Sequence, residues 1–143
     1  MNALVDAFYH TYFAGVAFWD SVCFPHIPAY ATYPCIVLGL LPNRWGGFAD
    51  RSWGLLASLV MVLLYLRVLP PGMVGGHDLR AILALGGYYG IRHFPQLLLA
   101  LGLTQGLFVL LARDKKEAPA LPYLFLAGAL CYGLLSCATL MSH

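Results

Sequence analysis

The sequence predicts an all-α fold: a polytopic transmembrane helical bundle of about six membrane helices, in one domain over residues 1–143. Three observations predict it. Hydrophobic residues make up 61% of the chain and charged residues only 10%, with a mean hydropathy of +0.76. A soluble domain carries about 25% charged residues, so this chain has too few polar side chains to cover a water-facing surface. Six apolar stretches recur between short polar or Gly/Pro breaks. No alternating strands of about ten residues, as in a membrane barrel, are present. Backbone in lipid must satisfy its own hydrogen bonds, which leaves helices.

The first stretch, residues 3–19, is rich in aromatics (Phe8, Tyr9, Tyr12, Phe13, Phe18, Trp19) and stops at Asp20. No basic segment precedes it and no small-residue cleavage site follows, so it is expected to stay as a span. Pro25, His26 and Pro28 then bar a continuous helix. The second stretch, 29–41, is short and ends at Pro42, before a polar loop over 43–51. The third, 52–69, is the clearest helix, with Leu55, Leu56, Leu59, Val60, Leu63, Leu64 and Leu66, and Pro70-Pro71-Gly72 ends it. A Gly-rich loop over 72–77 closes on Asp78, and the fourth stretch runs over 79–91. The fifth runs over 95–112, with Pro95 suited to a first helical turn. A charge run, Arg113 to Glu117, precedes the sixth stretch, 120–141. A span takes about 17–25 residues. The second and fourth stretches reach that only by borrowing loop residues, or else sit inside the bundle.

A net charge of +2 is too small and dispersed for nucleic-acid binding. The four cysteines, Cys23, Cys35, Cys131 and Cys137, form no Cys-x-x-Cys pair, so they are read as free thiols or packing residues. No two His residues have the i, i+4 spacing of a helical metal site, and no Gly-x-Ser-x-Gly element is present. No metal or cofactor is expected. Tyr9, Tyr12, Trp19, Trp45, Trp53, Tyr88, Tyr89 and Tyr123 are expected to form interfacial belts, and His10 an interior polar contact.

Asp20 and Asp78 are the informative acids, because each lies against the end of an apolar span. Alternation of spans puts both on one face of the membrane, Asp20 after the first and Asp78 after the third. Two carboxylates that meet share a proton, since like charges at close range do not both ionise. The ionised one can act as base on a water and the protonated one as acid toward a peptide carbonyl. The pair would titrate as a unit. The plainer reading makes Asp20 a helix border and Asp78 the N-cap of the fourth helix. Gly72, Gly75 and Gly76 leave room for a substrate backbone beside Asp78.

The run Gly75-Gly76-His77-Asp78-Leu79-Arg80, followed by a Gly-rich helix through Gly86-Gly87-Tyr88-Tyr89-Gly90, resembles the second Gly-x-Gly-Asp motif of type IV prepilin peptidases. Phe18-Trp19-Asp20, then His26-Ile27-Pro28 and the apolar run from Tyr33 to Leu41, resemble the first motif. Ala120-Leu121-Pro122-Tyr123 through Gly128 resembles the closing element. The matches fall in family order and cover most of the chain.

The resemblance implies a membrane aspartic endopeptidase in the bacterial inner membrane with its active site facing the cytoplasm. It would remove the short basic leader from prepilin or pseudopilin precursors, with Asp20 and Asp78 as catalytic residues. Gly75, Gly76, His77 and Arg80 would form the substrate loop. Partners are then the precursor and membrane lipid. Departures are His77 at the third motif position, Ala29 after Ile27-Pro28, and Phe125 where the family has Pro. Without paired Cys-x-x-Cys motifs the chain is similar to the minimal Flp/Tad-type members. Two other functions stay open: a family member that binds pilin precursors or assembly proteins without cutting, and a small ion- or proton-coupled membrane protein.

Overall fold

The computed structural model describes residues 2–23, 29–41, 43, 45–68, 76–111 and 121–142, and of 2, 23, 29, 77 and 121 the backbone alone. These residues are all-helical. The order is α1 (Asn2–Cys23), a single 3-10 turn (Ala29–Ala31), α2 (Tyr33–Leu40), α3 (Phe48–Val68), α4 (Gly76–Tyr89), α5 (Phe94–Leu111) and α6 (Leu121–Met141). The one strand-like pairing among them is a bridge between Asn43 and Gly46.

Three helices are long and apolar enough to cross a membrane: α3, α5 and α6. Their outer faces carry exposed leucines, such as Leu59, Leu63 and Leu64 on α3 and Leu99 and Leu103 on α5. An apolar shell of this extent marks a membrane or protein interaction surface. With 22 residues α1 is about 33 Å long, but it carries Asp6, His10 and Asp20. The remaining two, α2 with 8 residues and α4 with 14, rise only about 12 and 21 Å.

Short as it is, α4 is the centre of the bundle, buried almost continuously from Ala81 to Gly90. Contacts with α3, α2, α6 and α5 surround it. Small residues let the neighbours close in. A Cβ added at Gly54 of α3 would run into the Gly86 carbonyl and the Gly90 backbone, and one at Gly39 of α2 would sit 2.7 Å from the Ala84 carbonyl oxygen. Without a water-driven hydrophobic effect between helices in lipid, this close backbone packing is what holds such pairs together.

Helix directions alternate. Gly54 faces Gly90 while Tyr65 and Asp78 line one cleft, so α3 and α4 are antiparallel. Tyr89 donates to the Gly128 carbonyl and Ile82 lies with Leu124, so α4 and α6 are parallel. Thr32 meets Arg80 and Gly39 meets Ala84, so α2 runs with α4 as well.

Several boundaries differ from the sequence reading. Asp20 does not terminate α1, which continues to Cys23; Asp20 is completely buried and so sits on the inward face of the last turn. Asp78 is not an N-cap, because α4 starts at Gly76 and takes Asp78 into its first turn. The expected polar loop over 43–51 is cut short, since α3 begins at Phe48 and includes Asp50 and a fully buried Arg51. Tyr9, Tyr88, Tyr89 and Trp45 are core residues rather than an interfacial belt, whereas Trp19 and Trp53 are exposed. Cys35 and Cys131 are buried free thiols and Cys137 an exposed one.

Candidate active site

Along α1 the residues Asp6, Tyr9, Phe13, Val16, Ala17 and Asp20 are all buried. Their spacing of three, four, three, one and three places them on one helical face, so Asp20 continues an inward stripe that is otherwise mostly apolar. On α4, Asp78, Ala81, Ile82 and Leu85 form the matching buried set.

The two helices meet directly at one end. Tyr88 Oη donates to Asp6 Oδ1 at 2.7 Å, and the Tyr9 and Tyr88 rings stack with centroids 4.0 Å apart. One step further along, Phe13, Val16 and Ala81 share a small apolar space, so α1 and α4 run antiparallel. Asp20 lies eleven residues beyond Tyr9 and Asp78 ten before Tyr88. At about 1.5 Å per residue, both acids stand roughly 15–17 Å from the tyrosine stack, toward the same end and at the same depth. They occupy unlike helix termini. Asp78 is in a first turn, where free N–H groups favour negative charge; Asp20 is in a last turn.

Asp78 lines a cleft of about 190 Å³. Met61 and Tyr65 of α3 form one wall, Leu98, Leu101, Gln105 and Phe108 of α5 the other, with Ile82 and Leu124 at the base. Since α3 and α5 pack mainly on other helices rather than on each other, the cleft lies between two lipid-facing helices. It is the size of one or two side chains, apolar apart from Asp78, Tyr65 and Gln105.

Around the acids, α2 is fastened on both sides. Tyr12 of α1 donates to the Ala31 carbonyl at 2.8 Å. Arg80 Nε donates to Thr32 Oγ1 at 2.7 Å, its guanidinium lies 4.9 Å from the Tyr33 ring centroid, and a terminal nitrogen is 3.4 Å from Tyr33 Oη. Arg80, read from the sequence as part of a substrate loop, is thus engaged by the start of α2. Gly76 is exposed, with only the Arg80 side chain within 4 Å of the position its Cβ would take. Gly75 lies outside the described residues, as do Gly72 and the His26-Ile27-Pro28 segment. His77 falls in the first turn of α4, with its side chain outside them.

Sequence reasoning passed over a second polar cluster, at the opposite end. Arg51 donates to the Gly46 and Gly39 carbonyls at 3.0 Å each, and Asn43 Nδ2 donates to the Tyr88 carbonyl at 3.0 Å. The Asp50 carbonyl accepts from Ile91 N–H at 3.0 Å, tying α3 to the turn at Gly90, whose φ of 75° suits glycine. His10 packs edge-on against Tyr9, Tyr88 and Tyr132, the interior placement expected of it. Just outside the spans, burial lowers the His93 pKa from its ordinary value of 6.5. Gln105, in the wall of the Asp78 cleft, was also missed, because one amide in a leucine-rich stretch breaks no pattern.

No protein-family model, curated protein or solved structure matches this chain.

Proposed function

We propose that the chain is a membrane aspartic endopeptidase of the prepilin-peptidase type, with Asp20 and Asp78 as its catalytic pair. The observation that carries the reading is the common depth of the two buried acids on antiparallel helices, with an apolar cleft beside Asp78. In the reaction, the ionised carboxylate takes a proton from water as its oxygen attacks the peptide carbonyl carbon. The protonated carboxyl gives its proton to the carbonyl oxygen. Collapse of the tetrahedral adduct breaks the C–N bond, and the leaving nitrogen takes up a proton from the pair. No nucleophilic side chain is needed.

Six membrane segments fit this function if α2 and α4 count as interior half-spans embraced by longer helices. The pattern of cations supports a cytoplasmic active site. Arg67 and Arg80 lie at the Asp20–Asp78 end, and Arg113, Lys115 and Lys116, outside the described residues, come between α5 and α6 in the sequence. Because Arg51 is fully buried it does not count as a surface charge. By their place in the sequence Arg44 and Arg92 count for the other side, a bias of five against two. The substrate would be a prepilin-like precursor with a basic leader, and the setting a bacterial inner membrane.

Asp20→Asn and Asp78→Asn should each abolish leader removal from a co-expressed prepilin while leaving the protein inserted and folded. Wild-type processing by either variant refutes the mechanism. An intact protein that binds the precursor but cuts none of a panel of prepilins would favour the binding-only alternative, to which His77 in the motif gives its support.

A further inference from the structure

Gln105 of α5 and Asp78 of α4 line the same cleft. The Gln105 side chain is half-buried and makes no hydrogen bond to any described residue. Its neighbour Thr104 behaves differently, turning its hydroxyl back onto the Ala100 and Leu101 carbonyls at 2.9 and 3.2 Å. That is the usual way for a polar side chain in an apolar helix to satisfy itself. A primary amide has two N–H donors and a carbonyl acceptor. Half-buried in a wall of Leu98, Leu101 and Phe108, it is a polar group open to whatever enters the cleft. The packing does not require Gln here, because a leucine would fill the same wall.

We infer that Gln105 is a substrate-binding residue that pairs with the backbone of an extended peptide in the cleft, donating to one peptide carbonyl and accepting from a peptide N–H. The occupant is a peptide because the amide matches a peptide group donor for acceptor, and because Asp78 stands in the same cleft. An extended segment has unpaired N–H and C=O groups that would otherwise be stranded in an apolar space. Gln105 would hold one residue of it at a fixed distance from Asp78. This inference rests on the peptidase reading for the identity of the ligand.

The test uses the full chain in nanodiscs and a synthetic peptide with two basic residues, a glycine and an apolar segment. Binding is measured directly, with and without Asp78→Asn to prevent turnover. Gln105→Leu should weaken binding about three- to tenfold, the value of one or two hydrogen bonds, with thermal stability unchanged or raised. Gln105→Glu, which keeps the acceptor and loses the donors, should fall between.

A second arm replaces successive backbone N–H groups of the peptide by ester oxygens. At one position the wild type should lose affinity and Gln105→Leu should be indifferent, which a merely structural role would not produce. Equal affinity of wild type and Gln105→Leu, or a peptide that does not bind the wild type, overturns the inference. Binding that depends on Gln105 without any cleavage by the wild type leaves it standing and refutes the peptidase reading instead.

Discussion

Tyr9 lies flat on Tyr88, ring planes within 9° and centroids 4.0 Å apart, and the Tyr88 hydroxyl reaches past the stack to Asp6. This contact joins the two helices that carry Asp20 and Asp78, yet lies at the far end from both. It works as a fixed pivot for their spacing.

Removing that hydroxyl should loosen the pivot. Tyr88→Phe keeps the ring and takes away the donor to a buried carboxylate, so it should destabilise the protein by about 1–3 kcal/mol. Reversible unfolding in bicelles reads the loss. In a cycle with Asp6→Ala the two changes should be clearly non-additive; additive effects would mean that the 2.7 Å bond contributes nothing.

Close approach of α3 and α4 leads to a second prediction. Gly54→Ala drives a methyl into the backbone of Gly86 in α4 and of Gly90 in the turn after it, and backbone cannot move aside as a side chain can. The helices must part, at a cost of about 1–3 kcal/mol or more. Gly106→Ala, with nothing within 4 Å of the new carbon, should be neutral or gain up to about 1 kcal/mol from helix propensity. Thermal denaturation of the two variants side by side checks the contrast.

Arg80 fastens the start of α2 to the start of α4, beside the acids. On the proposed peptidase reading, Arg80→Ala should lower kcat about ten- to a hundredfold through misplacement of Asp78, with a smaller change in KM. Arg80→Lys keeps the charge but not the planar fork over Tyr33, and should recover only part of the rate. If Arg80 only attracts substrate, KM will move and kcat will not.

His93 predicts a pH dependence. Burial lowers its folded pKa below the ordinary 6.5, against smaller opposing effects of Asp50 and the Trp45 backbone and a small supporting one of Arg92. The unfolded chain therefore takes up the proton first. Stability from this group is fully present above pH 6.5 and declines as pH falls below it toward the folded pKa. His93→Gln should flatten that limb of the stability profile; an unchanged slope would place the titration elsewhere.

The leucine-rich α3, α5 and α6 were legible from hydropathy alone, because a lipid-facing helix needs nothing but apolar residues in sequence. The shared end of Asp20 and Asp78 was legible by counting reversals of direction, which needs only that successive helices alternate. Helix ends were harder. Asp20 reads as a terminator by residue type, but α1 continues for another three residues to Cys23, because a buried inward position suits the acid as well as an end does. The cluster of Asp6, Asn43, Arg51 and Tyr88 was not legible, since its hydrogen bonds link residues up to 82 apart and no local pattern records such partners. Tyr88 and Tyr89 looked interfacial for the same reason: the sequence shows an amphipathic ring, and only packing tells whether its neighbour is a headgroup or another helix.

The brevity of α4 has one more bearing. A post of about 21 Å, packed against the longer α3, α5 and α6, stops short of the roughly 30 Å thickness of a hydrocarbon slab. The helix that holds Asp78 in its first turn therefore cannot cross such a slab alone and owes its place there to the longer helices packed on it.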